Sequence, residues 1–260
     1  MKNKKAFPKK GFTLSEILIT ISIIGFVAAV TIPAMVMDYL RTQFITGAKT
    51  TYSIGNNVFK KINADNECDN DLKCTNLFNA GTTSQTLGDA VVAYFKVAQN
   101  CGTQTDKNCW PAQTNDNFDG TSGTNTNFNT SSYYYKFQAV DGKTYAIHNY
   151  AEDYVANCGN NGSTGALGSN SFMTQVCGVI IVDINGYRAP NTKGKDTFIF
   201  YITNGKGPLL YPSGGIDDNM SSINNYWNQG GRNFCNKATN PDGKYCTGRL
   251  MENSWEMDYY

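Results

Sequence analysis

The N-terminal part of the chain contains a long apolar stretch. From Phe12 to Met37 the only ionisable side chain is Glu16. Ile17 to Met37 is a run of 21 uncharged residues, which as a helix would be about 31 Å long, close to the thickness of the hydrocarbon core of a bilayer. The pattern therefore predicts a helix long and apolar enough to cross a membrane.

Beyond Met37 the helical pattern continues but becomes amphipathic. Apolar residues recur mostly at steps of three and four, with polar residues between them, and this predicts that the helix ends between Asn63 and Asn66. The whole helix would then have about 50 residues and a length of roughly 75–80 Å. Pro33 lacks a backbone donor and is predicted to bend or loosen the helix. The periodic apolar residues are Leu40, Phe44, Ala48, Tyr52, Val58, Phe59 and Ile62.

The remainder of the chain is predicted to contain one short helix followed by strands. Residues 68–81 form a polar connector, residues 87–99 suit a helix, and residues 100–132 are too polar for a core and are predicted to be a long loop. Four or five antiparallel strands follow, so the fold class is α+β, with the long helix packed on an antiparallel sheet. The strands are expected at Tyr133–Val140 and Lys143–Tyr150 around the turn Asp141-Gly142, and at Cys177–Ile184, Asp196–Thr203 and Leu209–Tyr211.

Charge is distributed unevenly along the chain. Charged residues make up 17% of the sequence, less than the roughly 25% usual for soluble domains. Five of the 22 basic residues fall within the first ten positions, and without them 17 basic residues stand against 21 acidic ones, a net charge of −4. Basic residues before an apolar run predict that the N-terminus is cytoplasmic and that the bulk of the chain lies outside the cytoplasm. The acidic remainder gives no reason to expect a nucleic-acid partner.

Three interpretations fit the basic leader and the apolar run. The first is a secretory signal peptide, cleaved near Ala29 or Ala34. The second is a plain membrane anchor. The third takes account of Gly11 and Glu16, because a carboxylate in hydrocarbon costs about 2.5–3.5 kcal/mol and is therefore either functional or held at the membrane surface.

The segment Lys9–Leu18, with the sequence KKGFTLSEIL, resembles the class III signal of type IV pilins and type II secretion pseudopilins. The resemblance implies that a prepilin peptidase cleaves between Gly11 and Phe12 and methylates the new amine of Phe12. It also gives Glu16 a role in assembly, where its carboxylate neutralises that amine, and makes Pro33 a helix kink.

The resemblance further implies how the chain is organised. Residues 1–11 would be the leader, 12–37 the transmembrane and filament-core half of the helix, 38–66 its amphipathic half, and 67–260 a pilin-like head. The expected function is that of a structural subunit of a type IV pilus-like filament or a type II secretion pseudopilus. Its partners would be other subunits and an assembly platform in the inner membrane, with the head in the periplasm or outside the cell. The alternative is a membrane-anchored or secreted binding module that does not polymerise.

Eight cysteines and one histidine limit the possible chemistry. An even number of cysteines outside the cytoplasm predicts disulfides, and pairing between sequence neighbours is the simplest arrangement, favoured most for Cys101–Cys109 and Cys235–Cys246. The absence of a CxxC motif and the single His148 argue against a zinc site, and no nucleophile with a suitable base is visible. The sequence therefore predicts neither an enzyme nor a bound cofactor. The cysteines are Cys68, Cys74, Cys101, Cys109, Cys158, Cys177, Cys235 and Cys246.

The segment from Asp183 to Asp196 is a candidate calcium site. Asp183, Asn185 and Asp196 offer oxygen ligands around a tight loop, and Asn191 offers another. The residue order of an EF-hand is absent, however. The favoured interpretation is a turn in which Asx side chains cap backbone amides.

Overall fold

The computed structural model describes residues 11–111, 127–153, 158–159, 175–204, 208–214, 235 and 243–259. The chain forms two compact units, one through Thr42 and the other from Gln43 onward. The longest element, α1, runs from Leu14 to Asp65. Its first part belongs to the first unit, and its second part belongs to the second unit together with a sheet.

The end of α1 is closed by a Schellman motif. The backbone N–H of Cys68 donates to the carbonyl of Asn63 at 2.8 Å, and that of Glu67 donates to Ala64 at 3.1 Å. Glu67 has a φ of 57°, the left-handed conformation that this motif requires. The predicted end of the helix between Asn63 and Asn66 is therefore confirmed.

The second unit contains a six-stranded antiparallel sheet whose strands lie in chain order. The predicted hairpin around Asp141-Gly142 and the three later strands are confirmed. The strands are β1 (Val97–Gly102), β2 (Tyr135–Ala139), β3 (Thr144–Asn149), β4 (Val176–Asp183), β5 (Thr197–Thr203) and β6 (Leu210–Pro212). The short helices are α2 (Ser84–Val92), α3 (Tyr150–Asp153) and α4 (Cys246–Glu252), with single 3-10 turns at Leu72–Thr75, Phe128–Thr130 and Gly243–Tyr245.

The prediction of one helix over residues 87–99 is wrong in its second half. α2 begins after the Thr83 side chain, which accepts from the backbone N–H of Thr86, and ends at Val92. From Val97 the chain instead pairs with β2, through partners such as Val97 with Ala139. Pairing with a distant strand overrides the local helical pattern, and it adds a sixth strand to the four or five expected.

The second half of α1 packs closely on one face of the sheet. A Cβ atom placed on Gly47 would lie 2.2 Å from the Ile184 side chain, and one on Gly55 would lie 2.2 Å from the Leu210 side chain. The rings of Tyr52 and Phe200 are 6.1 Å apart. The two glycines thus let the helix backbone approach the sheet, and the predicted α+β packing is confirmed.

The other face of the sheet is covered by aromatic side chains from a region expected to be a polar loop. Trp110 and Phe128 are fully buried, with ring centroids 4.8 Å apart. They belong to a hydrophobic cluster that includes Val179, Ile181 and Tyr201 of the sheet. The expectation that residues 100–132 contribute nothing to a core is therefore wrong for these two residues, while residues 112–126 lie outside the described part. Isolated aromatics in a polar run carry no periodicity that a sequence pattern could detect.

All eight cysteines form disulfides between sequence neighbours. Two of the disulfides close short loops in the first half of the head. A third disulfide joins Cys158 to Cys177, next to the start of β4. The predicted head with disulfide-braced loops is confirmed. The pairs are Cys68–Cys74, Cys101–Cys109, Cys158–Cys177 and Cys235–Cys246.

Candidate functional site

The residues around the predicted cleavage position precede the helix. Gly11, Phe12 and Thr13 are non-helical and exposed, and the Phe12 side chain is 83% exposed. α1 begins at Leu14. The peptide bond between Gly11 and Phe12 therefore lies outside the hydrogen-bonded helix, in a segment that an enzyme can approach.

Glu16 and Thr13 form a reciprocal capping box at the start of α1. The backbone N–H and the hydroxyl of Thr13 both donate to Oε2 of Glu16, at 2.8 Å and 2.7 Å. The backbone N–H of Glu16 lies 3.3 Å from the Thr13 hydroxyl oxygen and donates to it. This arrangement holds the carboxylate at the positive end of the helix dipole. The spacing Thr-x-x-Glu is the sequence signal that could have predicted it.

The first part of α1 presents apolar side chains on all sides. The most apolar 18-residue window of the helix has none of its residues buried, and Phe26, Val30 and Met35 are each more than 60% exposed. By length and composition this helix could cross a membrane. So large an apolar surface needs hydrocarbon or other helices around it.

The few hydroxyl groups in this apolar surface bond back to their own helix. Thr20 donates to the carbonyl of Glu16 at 2.6 Å, Ser22 to Leu18 at 2.7 Å and Thr31 to Val27 at 2.9 Å. Each hydroxyl thus satisfies its donor within its own turn, as hydroxyls do in membrane helices. α1 continues through Pro33, and the bend there stays a prediction.

The calcium candidates lie where β4 ends and β5 begins. The carboxylate of Asp196 accepts from the backbone amides of Asn191 at 2.8 Å and Thr192 at 2.7 Å. Oδ2 of Asp183 accepts from the Thr197 hydroxyl at 2.9 Å. The bonds to Asp196 are those of the capped turn that the sequence analysis favoured.

Part of this loop nevertheless suits a cation. Asp183 and Asp196 are both fully buried, and among the described residues Oδ1 of Asp183 and Oδ1 of Asn185 have no hydrogen-bond partner. Burial raises the pKa of Asp183 well above its usual range, and the charge of Asp196 raises it further. Burial also raises the pKa of Asp196 to about 6. A cation would favour the charged form of both buried carboxylates. The described residues, however, contain no group of three or more His, Cys, Asp or Glu that could hold a metal.

His148 lies in a packed aromatic environment. Its Nε2 is 3.2 Å from Oδ2 of Asp153, and its ring forms T-shaped pairs with Tyr134 and Tyr150, with centroids 5.2 Å and 5.5 Å away. Burial lowers the pKa of the imidazole, against the opposing charge of Asp153. The side chain is 4% exposed, so this environment is that of a core histidine.

The described residues thus combine a long, apolar N-terminal helix with a disulfide-braced α+β unit. A family model described as the prokaryotic N-terminal methylation motif matches residues 2–32. The chain thus carries the class III signal of type IV pilins and pseudopilins, and the resemblance of Lys9–Leu18 to that signal is confirmed. This signal implies processing by a peptidase and assembly with other pilin subunits. No curated protein and no solved structure matches the chain.

Proposed function

We propose that the chain is a structural subunit of a filament, either a type IV pilus-like fibre or a type II secretion pseudopilus. The observation that carries the proposal is the methylation motif at residues 2–32, which overlaps the exposed apolar part of α1. In this role a prepilin peptidase removes residues 1–11 and methylates the amine of Phe12. The chain then acts by assembly and not by catalysis.

The assembly step uses the charges at the start of the helix. Cleavage gives Phe12 a cationic amine, four residues before Glu16 and just ahead of the first turn of α1. When subunits pack side by side, the Glu16 of the same or an adjacent subunit neutralises that amine and so offsets the cost of burying both charges. A polar pair within an apolar seam also sets the register of the packed helices.

The proposed organisation keeps the boundaries expected from the sequence. Residues 12–37 form the filament core after first spanning the inner membrane, residues 38–66 join the core to the head, and residues 67–260 form the head. The four disulfides suit a head in an oxidising compartment outside the cytoplasm. An assembly platform in the inner membrane would extract the subunits from the bilayer.

Mass spectrometry of the mature N-terminus tests this proposal. We expect an N-terminal peptide that begins with N-methyl-phenylalanine at position 12. A Gly11→Val variant should keep its leader, because the residue before the cleaved bond is changed while the apolar helix is intact. A chain cleaved near Ala29 or Ala34, or one that keeps Met1, would instead support a secreted or anchored binding module.

A further inference from the structure

The face of α1 that points away from the sheet is basic in its second half. Lys49, Lys60 and Lys61 are exposed there, and Ser53 and Asn57 lie between them. Lys49 and Lys60 are eleven residues apart, which brings them to nearly the same side of the helix, about 16 Å apart along its axis. None of the three lysines forms an ion pair within the described part of the chain.

The turn that follows α1 is acidic. Glu67, Asp69 and Asp71 are exposed, within or beside the loop closed by the Cys68–Cys74 disulfide. Asp71 accepts from the backbone N–H of Lys73 at 3.0 Å and from the Asn204 side chain. Among the described residues Glu67 and Asp69 have no ion-pair partner. We refer to residues 67–71 as the acidic turn.

Within one subunit the acidic turn is electrostatically unfavourable. It lies at the C-terminal end of α1, the negative end of the helix dipole, where cations are the favoured neighbours. The last turn of α1 contains no basic residue. Glu67 also occupies the left-handed position of the Schellman motif, where glycine is the usual residue. Among the described residues Glu67 and Asp69 therefore gain neither an ion pair nor a favourable dipole interaction, whereas Asp71 caps the 3-10 turn at Leu72–Thr75.

We propose that Lys60 and Lys61 of one copy dock against the acidic turn of a second copy in the filament. This inference rests on the proposed function, and it names the contact between heads. The occupant is a second copy because the chain itself carries the complementary charge on an exposed segment, where Glu67 and Asp69 have no ion-pair partner among the described residues. Complementary charges of this kind set register and partner choice more than raw affinity.

The contact requires a displacement between parallel copies along the second part of α1. Lys61 lies four residues before the end of α1 at Asp65, and Glu67 follows in the turn, so the displacement is about 6 Å or more. The copy that contributes Lys61 is then the one nearer the filament tip, and the flexible lysine stem extends its reach.

Zero-length crosslinking between isotopically distinct copies tests the contact directly. Filaments are assembled from a mixture of ¹⁴N- and ¹⁵N-labelled full-length chains and treated with a carbodiimide, which joins an amine to a carboxylate only where the two touch. We expect mixed-isotope peptides that link Lys60 or Lys61 to Glu67 or Asp69. Filaments that give only same-isotope links at these residues would overturn the inference.

Charge reversal provides a second test with a matched control. We expect Lys61→Glu to lower filament yield about fivefold or more, because it places like charges opposite each other. Adding Glu67→Lys to that variant should restore most of the yield, which a purely structural role of Lys61 would not allow. Lys49→Glu changes the net charge equally on the same helix, but lies too far from the acidic turn to meet it, so its yield should stay near that of the wild type.

The outcomes separate this inference from the proposed function. If wild-type filaments form but Lys61→Glu matches Lys49→Glu and no mixed-isotope link appears, the head contact is wrong and filament assembly stands. If the wild-type chain is not processed at Phe12 and forms no filaments, both proposals are wrong.

Discussion

The two parts of α1 have the same secondary structure but opposite relations to the rest of the chain. Up to Thr42 the helix exposes apolar side chains on every side, and a Cβ on Gly25 would have no heavy atom within 4 Å apart from its chain neighbours and the adjacent helix backbone. From Gln43 onward one face is buried, and a Cβ on Gly47 or Gly55 would overlap a side chain. The second part therefore finds its packing partners within the chain, whereas the first part must find them in a membrane or in other subunits.

The largest expected effect concerns the first part of α1, which must pack against a membrane or other subunits. Glu16→Ala should leave cleavage at Phe12 intact but reduce filament yield by about tenfold or more, because the buried amine loses its neutralising carboxylate. Yield is measured by immunoblotting filaments sheared from cells. Ser22→Ala is the control, since its hydroxyl bonds only to its own helix. Equal yields from the two variants would remove the assembly role of Glu16.

A pair of identical substitutions compares the two parts of the helix directly. Gly55→Ala should destabilise the folded head by about 1–3 kcal/mol, because the new methyl group overlaps the buried Leu210 side chain. Gly25→Ala should leave the melting temperature of the head unchanged or slightly raised, since alanine favours a helix. Thermal unfolding of the detergent-solubilised full chain measures both. A loss of stability in both variants, or in neither, would contradict the difference in packing.

The buried Asp183 and Asp196 give the head a distinctive pH dependence. Because the folded state raises both pKa values, it holds protons more tightly than the unfolded chain, and both contributions to stability fall as pH rises above the usual range of an aspartate. The contribution of Asp196 is lost as pH rises through its folded pKa of about 6. The loss from Asp196 reaches about 3 kcal/mol at most, from a pKa of 3.8 unfolded to about 6 folded.

Asp183→Asn tests this dependence and the calcium candidate together. The variant keeps an oxygen that can accept from Thr197 but removes the like charge, so it should lose less stability than the wild type between pH 5 and pH 7.5 in a chelator. The same slope in both proteins would contradict the role of the pair. Calcium that raises the melting temperature of the wild type at pH 7.5, but not that of the variant, would support a metal site, and no shift would remove it.

The smallest expected effect is a gain in stability. Glu67→Gly should stabilise the head by about 0.5–1 kcal/mol, because glycine adopts the left-handed conformation of Glu67 without strain. Asn76→Gly, at a φ of 61°, should gain less, since asparagine tolerates this conformation. If the acidic turn contacts a second copy, Glu67→Gly should also lower filament yield while it raises the melting temperature.

Features with a local physical cause could be predicted from the sequence. The apolar run, the end of α1 near Asn63 and the hairpin at Asp141-Gly142 each depend on neighbouring residues, and the structure confirms them. Strand β1 was missed because its pairing with β2 is not visible in the helical pattern around it. Trp110 and Phe128 were missed because their burial depends on a sheet face formed by later strands.

The candidate sites likewise differ in whether they depend on neighbouring residues or on distant ones. The capping box of Thr13 and Glu16 depends on a three-residue spacing and was predictable in principle. The burial of Asp183 together with Asp196 was not, because two strands must come together before the two carboxylates become neighbours. The basic face of α1 and the acidic turn were both visible as charges. That Lys60, Lys61, Glu67 and Asp69 form no ion pair among the described residues could be seen only in the folded structure.

In the proposed filament the apolar part of α1 is buried by other copies of the same chain, and this burial distinguishes it from a membrane anchor. This burial is tested most directly by sedimenting filaments sheared from cells that contain the prepilin peptidase and an assembly platform. We expect the sedimented fraction to contain the chain with Phe12 as its N-terminal residue. A chain that stays entirely in the membrane fraction as single copies, although processed at Phe12, would contradict the claim.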